Sequence, residues 1–133
     1  ALNHSPVHIT DFMPTLLAAA GATYLRTFAG REILPAEAES FLPALQGRPW
    51  ARQTPLFWEH EGNCAVRQGP WKLVRKYPGP WELYHMEEDR TELNDLAARE
   101  PNRVQALAKL YEAWAARCDI LPWEEFLARR RQS

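Results

Sequence analysis

The sequence predicts an α+β fold: a four-stranded antiparallel sheet packed against a C-terminal helix, preceded by an N-terminal helix and a long irregular segment. Three observations carry this expectation. Four short runs rich in Val, Leu, Trp, Tyr and Phe, "PLFWEH", "CAVRQ", "WKLVRKY" and "WELYHM", follow one another between residues 55 and 86. The breaks between them, "EGN", "GP" and "PGP", are too short for anything but hairpins, which forces antiparallel order. After them, Val104, Leu107, Ala108, Tyr111, Trp114, Ala115 and Cys118 repeat at helical spacing as one stripe. Four strands with a helix across one face make a two-layer α+β arrangement.

The elements follow in chain order. "VHITDFMPTLLAAAGAT" reads as a helix, with Asp11 as its N-cap and Pro14 in the first turn, where a missing N–H does no harm. Met13, Leu16, Leu17 and Ala20 recur at helical spacing, and Gly21 fits a left-handed C-terminal stop. Residues 22–55 show little periodicity and are punctuated by Pro35, Pro43, Pro49 and Pro55. Within them "ESFLPALQG" suits one or two helical turns ending at Gly47. A largely irregular stretch of this length is unusual in a small free-standing domain and suits a chain that wraps something larger.

In the strands, alternation sets Leu56, Trp58 and His60 on one face and Phe57 and Glu59 on the other. "HMEEDRTELNDLAAREP" reads as a polar turn and a helical turn. Pro101 opens the long helix, and "PWEEFLARRRQ" forms a shorter one. The expected division is residues 1–54 as linking helix and irregular segment, and 55–133 as meander plus helices.

Composition narrows the function classes. The 133 residues suit one domain, and 46% hydrophobic content is that of a globular protein. A net charge of −1 favours neither nucleic acid nor an anionic membrane. No run approaches the roughly 18 apolar residues of a membrane span. The compartment is left open. The Arg129-Arg130-Arg131 tail reads as a solvated helix end. Cys64 and Cys118 could form one bridge arithmetically but read as two small buried side chains.

Chemistry concentrates in "FWEHEGNCAVRQGPWKLVRKY". Glu59, His60, Glu61 and Cys64 have metal-ligating side chains, yet neighbours on a strand face opposite ways and zinc spacing is absent. Cys64 with His60 four residues earlier could pair across a turn, but its setting reads as strand interior, where a thiol is inert. Arg67 and Lys72 could meet as an anion subsite, or be ordinary surface charge. Trp58, Trp71, Trp81 and Trp114 could form a sugar-stacking platform, with core packing as the plainer role. His4 and His85 are expected to be solvated.

Three motifs in series resemble the sulfatase family. "HITDFMPTLLAAAGA" is similar to a family helix, through Asp11, Pro14, Thr15, Leu16, Leu17, Ala20 and Gly21. "WEHEGNCAVRQGPWKLV" resembles a later hairpin. "WELYHMEEDRTELNDLA" resembles the segment after it, through Leu83, Tyr84, Asp89, Glu92, Asn94 and Leu96, with His85 in place of a common Asp. The likeness runs from about Val7 to Trp123 and points to bacterial arylsulfatases, carboxy-terminal portion only.

The resemblance implies a full enzyme that hydrolyses sulfate esters with a formylglycine, made in a Cys/Ser-x-Pro-x-Arg motif, and a Ca2+ ion. Here Cys64 is followed by Ala65-Val66-Arg67 and Cys118 by Asp119-Ile120-Leu121, so neither begins that motif. The chain alone is therefore expected to be inactive, with no catalytic or metal residues and no cofactor of its own. Its implied partners are the N-terminal catalytic domain of the same enzyme and a sulfate ester substrate. His60, and less strongly Glu61 and Asn63, are expected to line the substrate pocket in the full enzyme. Exposure of Phe12, Leu16, Leu17, Phe28 and Phe41 would favour self-association of the isolated chain. Two other readings stay open: a free-standing binding module for a sulfated or carbohydrate ligand, and a small enzyme built on His60 and Cys64.

Overall fold

The computed structural model describes residues 2–132. The chain divides into two compact units, residues 1–54 and 55–133.

The first unit opens with a 3-10 turn, Ile9–Asp11, that runs directly into α1, Phe12–Ala19. The helix begins at Phe12, directly after Asp11, with the 3-10 turn as an added lead-in. Asp11 stands at the N-cap position of α1, as expected, but its side chain makes no cap bond to that helix. His8 caps the 3-10 turn, in extended backbone, with its ring accepting from the Thr10 N–H while the Asp11 carboxylate accepts from the His8 N–H. This is a capping box with Asp as the returning acid. The far end is a Schellman stop. Gly21 sits at φ +65°, Ala22 N donates to Leu17 O at 2.9 Å and Gly21 N to Ala18 O at 3.3 Å.

Two short strands that the sequence reading lacked follow, β1 (Thr27–Phe28) and β2 (Arg31–Glu32), paired antiparallel. Ala29 and Gly30 both have positive φ, as a type I′ turn requires. A single turn, α2 (Leu42–Leu45), ends at left-handed Gly47, within the stretch expected to be helical.

The second unit is the expected meander: β3 (Leu56–His60), β4 (Asn63–Gln68), β5 (Trp71–Arg75) and β6 (Trp81–His85), antiparallel in the order β3-β4-β5-β6. Register aligns Phe57, Val66, Leu73 and Leu83 across all four strands. α3 (Pro101–Arg117) crosses this face, and Leu107 and Tyr111 close the core over Cys64, Val66, Leu73 and Leu83. Val66, Leu73 and Leu83 have no exposed surface; each such burial is worth about 1.5–3 kcal/mol. Phe57 stacks on Trp114 at 5.0 Å, and Trp81 meets Tyr111 edge-on at 5.6 Å.

The loop after β6 seals that edge of the sheet. Leu96 N donates to Leu83 O at 2.8 Å, and Leu83 N donates to Asp95 Oδ1 at 2.9 Å, so the edge backbone is satisfied rather than left as a template. Asp89 folds the loop by accepting from the N–H groups of Leu93 and Asn94, both at 2.8 Å. Those backbone bonds hold its carboxyl below the usual range.

α3 ends where Asp119 takes φ +52° and Ile120 N donates back to Ala115 O. Cys118 is thereby turned out of the stripe. It is exposed, not buried as expected, and both cysteines are free. α4 (Trp123–Gln132) follows, opening with Trp123 stacked on Phe126 at 4.9 Å.

Candidate hairpin-tip site

The β3–β4 turn is built from two residues, Glu61 at φ +53° and Gly62 at φ +81°, the I′ geometry whose twist matches the strands. Asn63 belongs to the strand rather than to the break, paired with His60. Four restraints hold the tip. Gly62 N donates to Glu59 Oε1 at 2.8 Å. Asn63 Nδ2 donates to His60 O at 2.9 Å, and Asn63 Oδ1 accepts from Tyr77 N at 3.1 Å. Gly62 is buried, and a Cβ added there would lie 3.0 Å from Trp123 and from Tyr77.

Alternation sends Trp58 and His60 to the face opposite α3. There they line a shallow hollow of about 270 Å³ with Asn63, Ala65, Val74 and Lys76. Its surface is almost wholly apolar, although His60, Asn63 and Lys76 are among the residues that line it. The His60 ring is exposed and has no hydrogen-bond partner among the described residues.

Of the three expected pocket residues, the structure thus gathers His60 and Asn63 in one hollow. Glu61 stands at the crown of the turn, exposed and outside that lining. The sequence reading did not place Trp58 and Lys76 in the site. Trp58 shares the His60 face by alternation, but it had been assigned to packing; it is 38% exposed. Lys76 arrives through register, because Cys64 pairs with Arg75.

The rival constellations come apart. Glu59 and Cys64 pair directly, while His60 faces the other way. Among the described residues, no three His, Cys, Asp or Glu side chains converge. The carboxylates of Asp11, Asp89 and Asp95 are engaged by backbone N–H groups, so these residues do not fit a Ca2+ site, and no step through that ion is derived from this chain. Cys64 is buried against Tyr111 and Arg75, and burial pushes its thiol up, away from a nucleophilic thiolate.

Arg67 and Lys72 do sit opposite each other, but Lys72 Nζ is paired with Glu92 Oε1 at 2.7 Å. The four tryptophans split between faces: Trp71, Trp81 and Trp114 pack on the α3 side, Trp58 on the other, so they form no single platform. His85 is not solvated. Its ring meets Trp71 edge-on at 4.7 Å, with the Arg103 guanidinium 4.1 Å from the same indole.

No family model matches the chain. Among curated proteins it is similar to an uncharacterised sulfatase of Schizosaccharomyces pombe, 25% identical over 86% of this chain and 22% of that protein. It is also similar to arylsulfatase K of Danio rerio, 28% identical over 79% of this chain and 21% of that protein. The chain thus spans about a fifth of the length of the curated relatives it matches. Among solved structures, Ps i-CgsB in complex with k-i-k-neocarrahexaose shares the fold, with a TM-score of 0.67 and 22% identity over 84% of this chain and 24% of that one. So does BT4656 in complex with its substrate D-glucosamine-2-N,6-O-disulfate, with a TM-score of 0.55 and 24% identity over 86% of this chain and 25% of that one. The chain is similar to the sulfatases over about a fifth to a quarter of their length, consistent with a carboxy-terminal portion of them.

Proposed function

We propose that this chain is the part of a sulfate-ester hydrolase that covers and shapes the substrate pocket, and that it is inactive by itself. The observation that carries the reading is the match to sulfatases over only about a fifth of their length. The Cys/Ser-x-Pro-x-Arg motif from which a formylglycine arises is absent from this sequence. In this reading the N-terminal catalytic domain of the same enzyme supplies the formylglycine and the Ca2+. Residues 1–54 pack on that domain, and residues 55–133 present the hairpin tip to the sulfate ester.

Each tip residue has a distinct part. The exposed His60 ring offers an N–H to an anionic substrate oxygen, and Lys76 adds positive charge on the same rim. Trp58 offers an apolar surface to the remainder of the substrate. Asn63 spends its amide on His60 O and Tyr77 N, so it positions His60 rather than reaching the ligand. Glu61 reaches the substrate only from the crown of the turn.

His60→Ala in the full-length enzyme tests the reading. The expected result is a lowered kcat/KM for an aryl sulfate with thermal stability retained; an unchanged kcat/KM removes His60 from the pocket. Turnover of an aryl sulfate by the isolated chain would end the proposal. Without the catalytic domain, α1 leaves Phe12 and Leu16 exposed, and Phe28 lies exposed in the β1–β2 hairpin. Leu17 and Phe41 are half-buried. Self-association of the isolated chain follows, and a clean monomer in sedimentation at high concentration would count against it.

A further inference from the structure

Residues 1–54 lack a buried apolar centre. Among their described residues only Asp11 and Thr15 are buried, and the large side chains Ile9, Phe12, Met13 and Leu16 are exposed. Polar contacts converge on those two residues instead. Asp11 Oδ2 accepts from His8 N at 2.7 Å and is ion-paired with Arg52 Nη2, and Asp11 Oδ1 accepts from Glu39 N at 3.1 Å. Thr15 Oγ1 donates to Asp11 O at 2.6 Å and accepts from Phe41 N at 3.0 Å. Arg52, itself 6% exposed, also donates to Pro6 O and to Thr54 Oγ1. The Glu39 carboxylate accepts from Gln53 N and Thr54 N. Stretches around residues 6–8, 11–15, 39–41 and 52–54 are thereby fastened at one point.

We infer that Asp11 and Arg52 form a clasp that holds residues 37–54 onto α1, and that its rupture opens residues 1–54 while the β3–β6 sheet stays folded. The inference is independent of the proposed function. A buried charge stripped of its partner is strongly unfavourable, and here only a partly exposed cluster of Phe12, Phe41 and Trp50 stands behind it. The Asp-x-x-x-Thr spacing of the first motif thus fastens a loop.

Acid should release the clasp. The charged and titratable groups facing Asp11 are Arg52 from the 52–54 stretch, Glu39 from the 39–41 stretch and His8 from the cap. Burial pushes the Asp11 and Glu39 carboxyls up. For Asp11 the Arg52 side chain and the N–H groups of His8 and Glu39 outweigh it; for Glu39 bonds from Thr54 and Gln53 do, so both lie below their ordinary values. Groups lowered on folding contribute stability that is present above the ordinary carboxylate range. That stability is lost as pH falls through the lowered values, here below about pH 4.

The experiment uses the full chain. In Asp11→Asn and in Arg52→Met, trypsin should cut at Arg26 and Arg31 on the order of a hundredfold faster than in the wild type. The backbone amide NMR signals of β3–β6 should be retained. In the wild type, lowering pH from 6 to 3 should collapse the amide dispersion of residues 5–54 before that of the sheet. Cleavage within twofold of wild type in both variants overturns the inference. So does loss of both units together, in a variant or in acid.

Discussion

Gly62→Ala isolates what holds the hairpin tip. Two costs apply. The position needs φ +81°, which costs an L-residue roughly 1–2 kcal/mol. The new methyl would also lie 3.0 Å from Trp123 Cβ, Trp123 Cδ1 and Tyr77 Cδ2. Trp123 Cβ is the root of its side chain, so no rotamer change moves it away and α4 must shift. Overpacking of this kind costs about 1–3 kcal/mol.

Gly69→Ala is the control. It sits in the β4–β5 turn at φ +56° with nothing within 4 Å of its added Cβ, so it carries the backbone cost alone. Thermal unfolding followed by circular dichroism should place the Gly62→Ala midpoint roughly 5–15 °C below that of Gly69→Ala. Equal midpoints would refute the argument that α4 and Tyr77 clamp the tip.

Two further outcomes follow from the second unit. Asp95→Ala strands the Leu83 and Ala97 N–H groups, which donate to Asp95 Oδ1 at 2.9 and 2.8 Å, and should cost about 1–3 kcal/mol in urea unfolding. With a thiol-reactive disulfide reagent, exposed Cys118 should react fast and buried Cys64 only at the rate of opening, and raising the pH to 9 should not close the gap, because burial keeps the Cys64 thiol protonated.

The sheet was legible because local chemistry determines it. Alternating apolar runs set the faces, and the two-residue turns after β3 and β4 leave one register there. What was missed depends on partners distant in sequence or on backbone without a residue signature. Asp11 before an apolar run reads the same whether it caps the helix or closes a capping box. Its partners Glu39 and Arg52 lie 28 and 41 residues away. The β1–β2 turn places Ala29 at φ +49°, a position for which alanine gives no hint. Cys118 keeps the spacing of the Trp114 stripe, yet Asp119, not a glycine, takes the left-handed stop and throws it outward. At the site, alternation placed His60 and Trp58 together. Lys76 needed the register of a neighbouring strand.

The polarity of α1 bears on the proposal more directly than any single contact. A helix on a small domain ordinarily turns its apolar stripe inward. In α1 the one buried residue is Thr15, while Met13 and Leu16 are exposed and Phe12, half exposed, meets Phe41 edge-on at 5.5 Å. The inward side is occupied by the polar clasp. A polar interior with an apolar exterior is costly for a surface that meets only water, and it is ordinary for one that meets protein. The hairpin tip shows the complementary property. Glu59, Asn63, Tyr77 and Trp123 fix the end of β3 before any ligand arrives, leaving the His60 ring with no bond to break on binding. A rigid, unengaged donor lowers the ordering cost of recognition. An exposed apolar side in one unit and a preorganised tip in the other are the two features on which the proposed pocket-covering role rests.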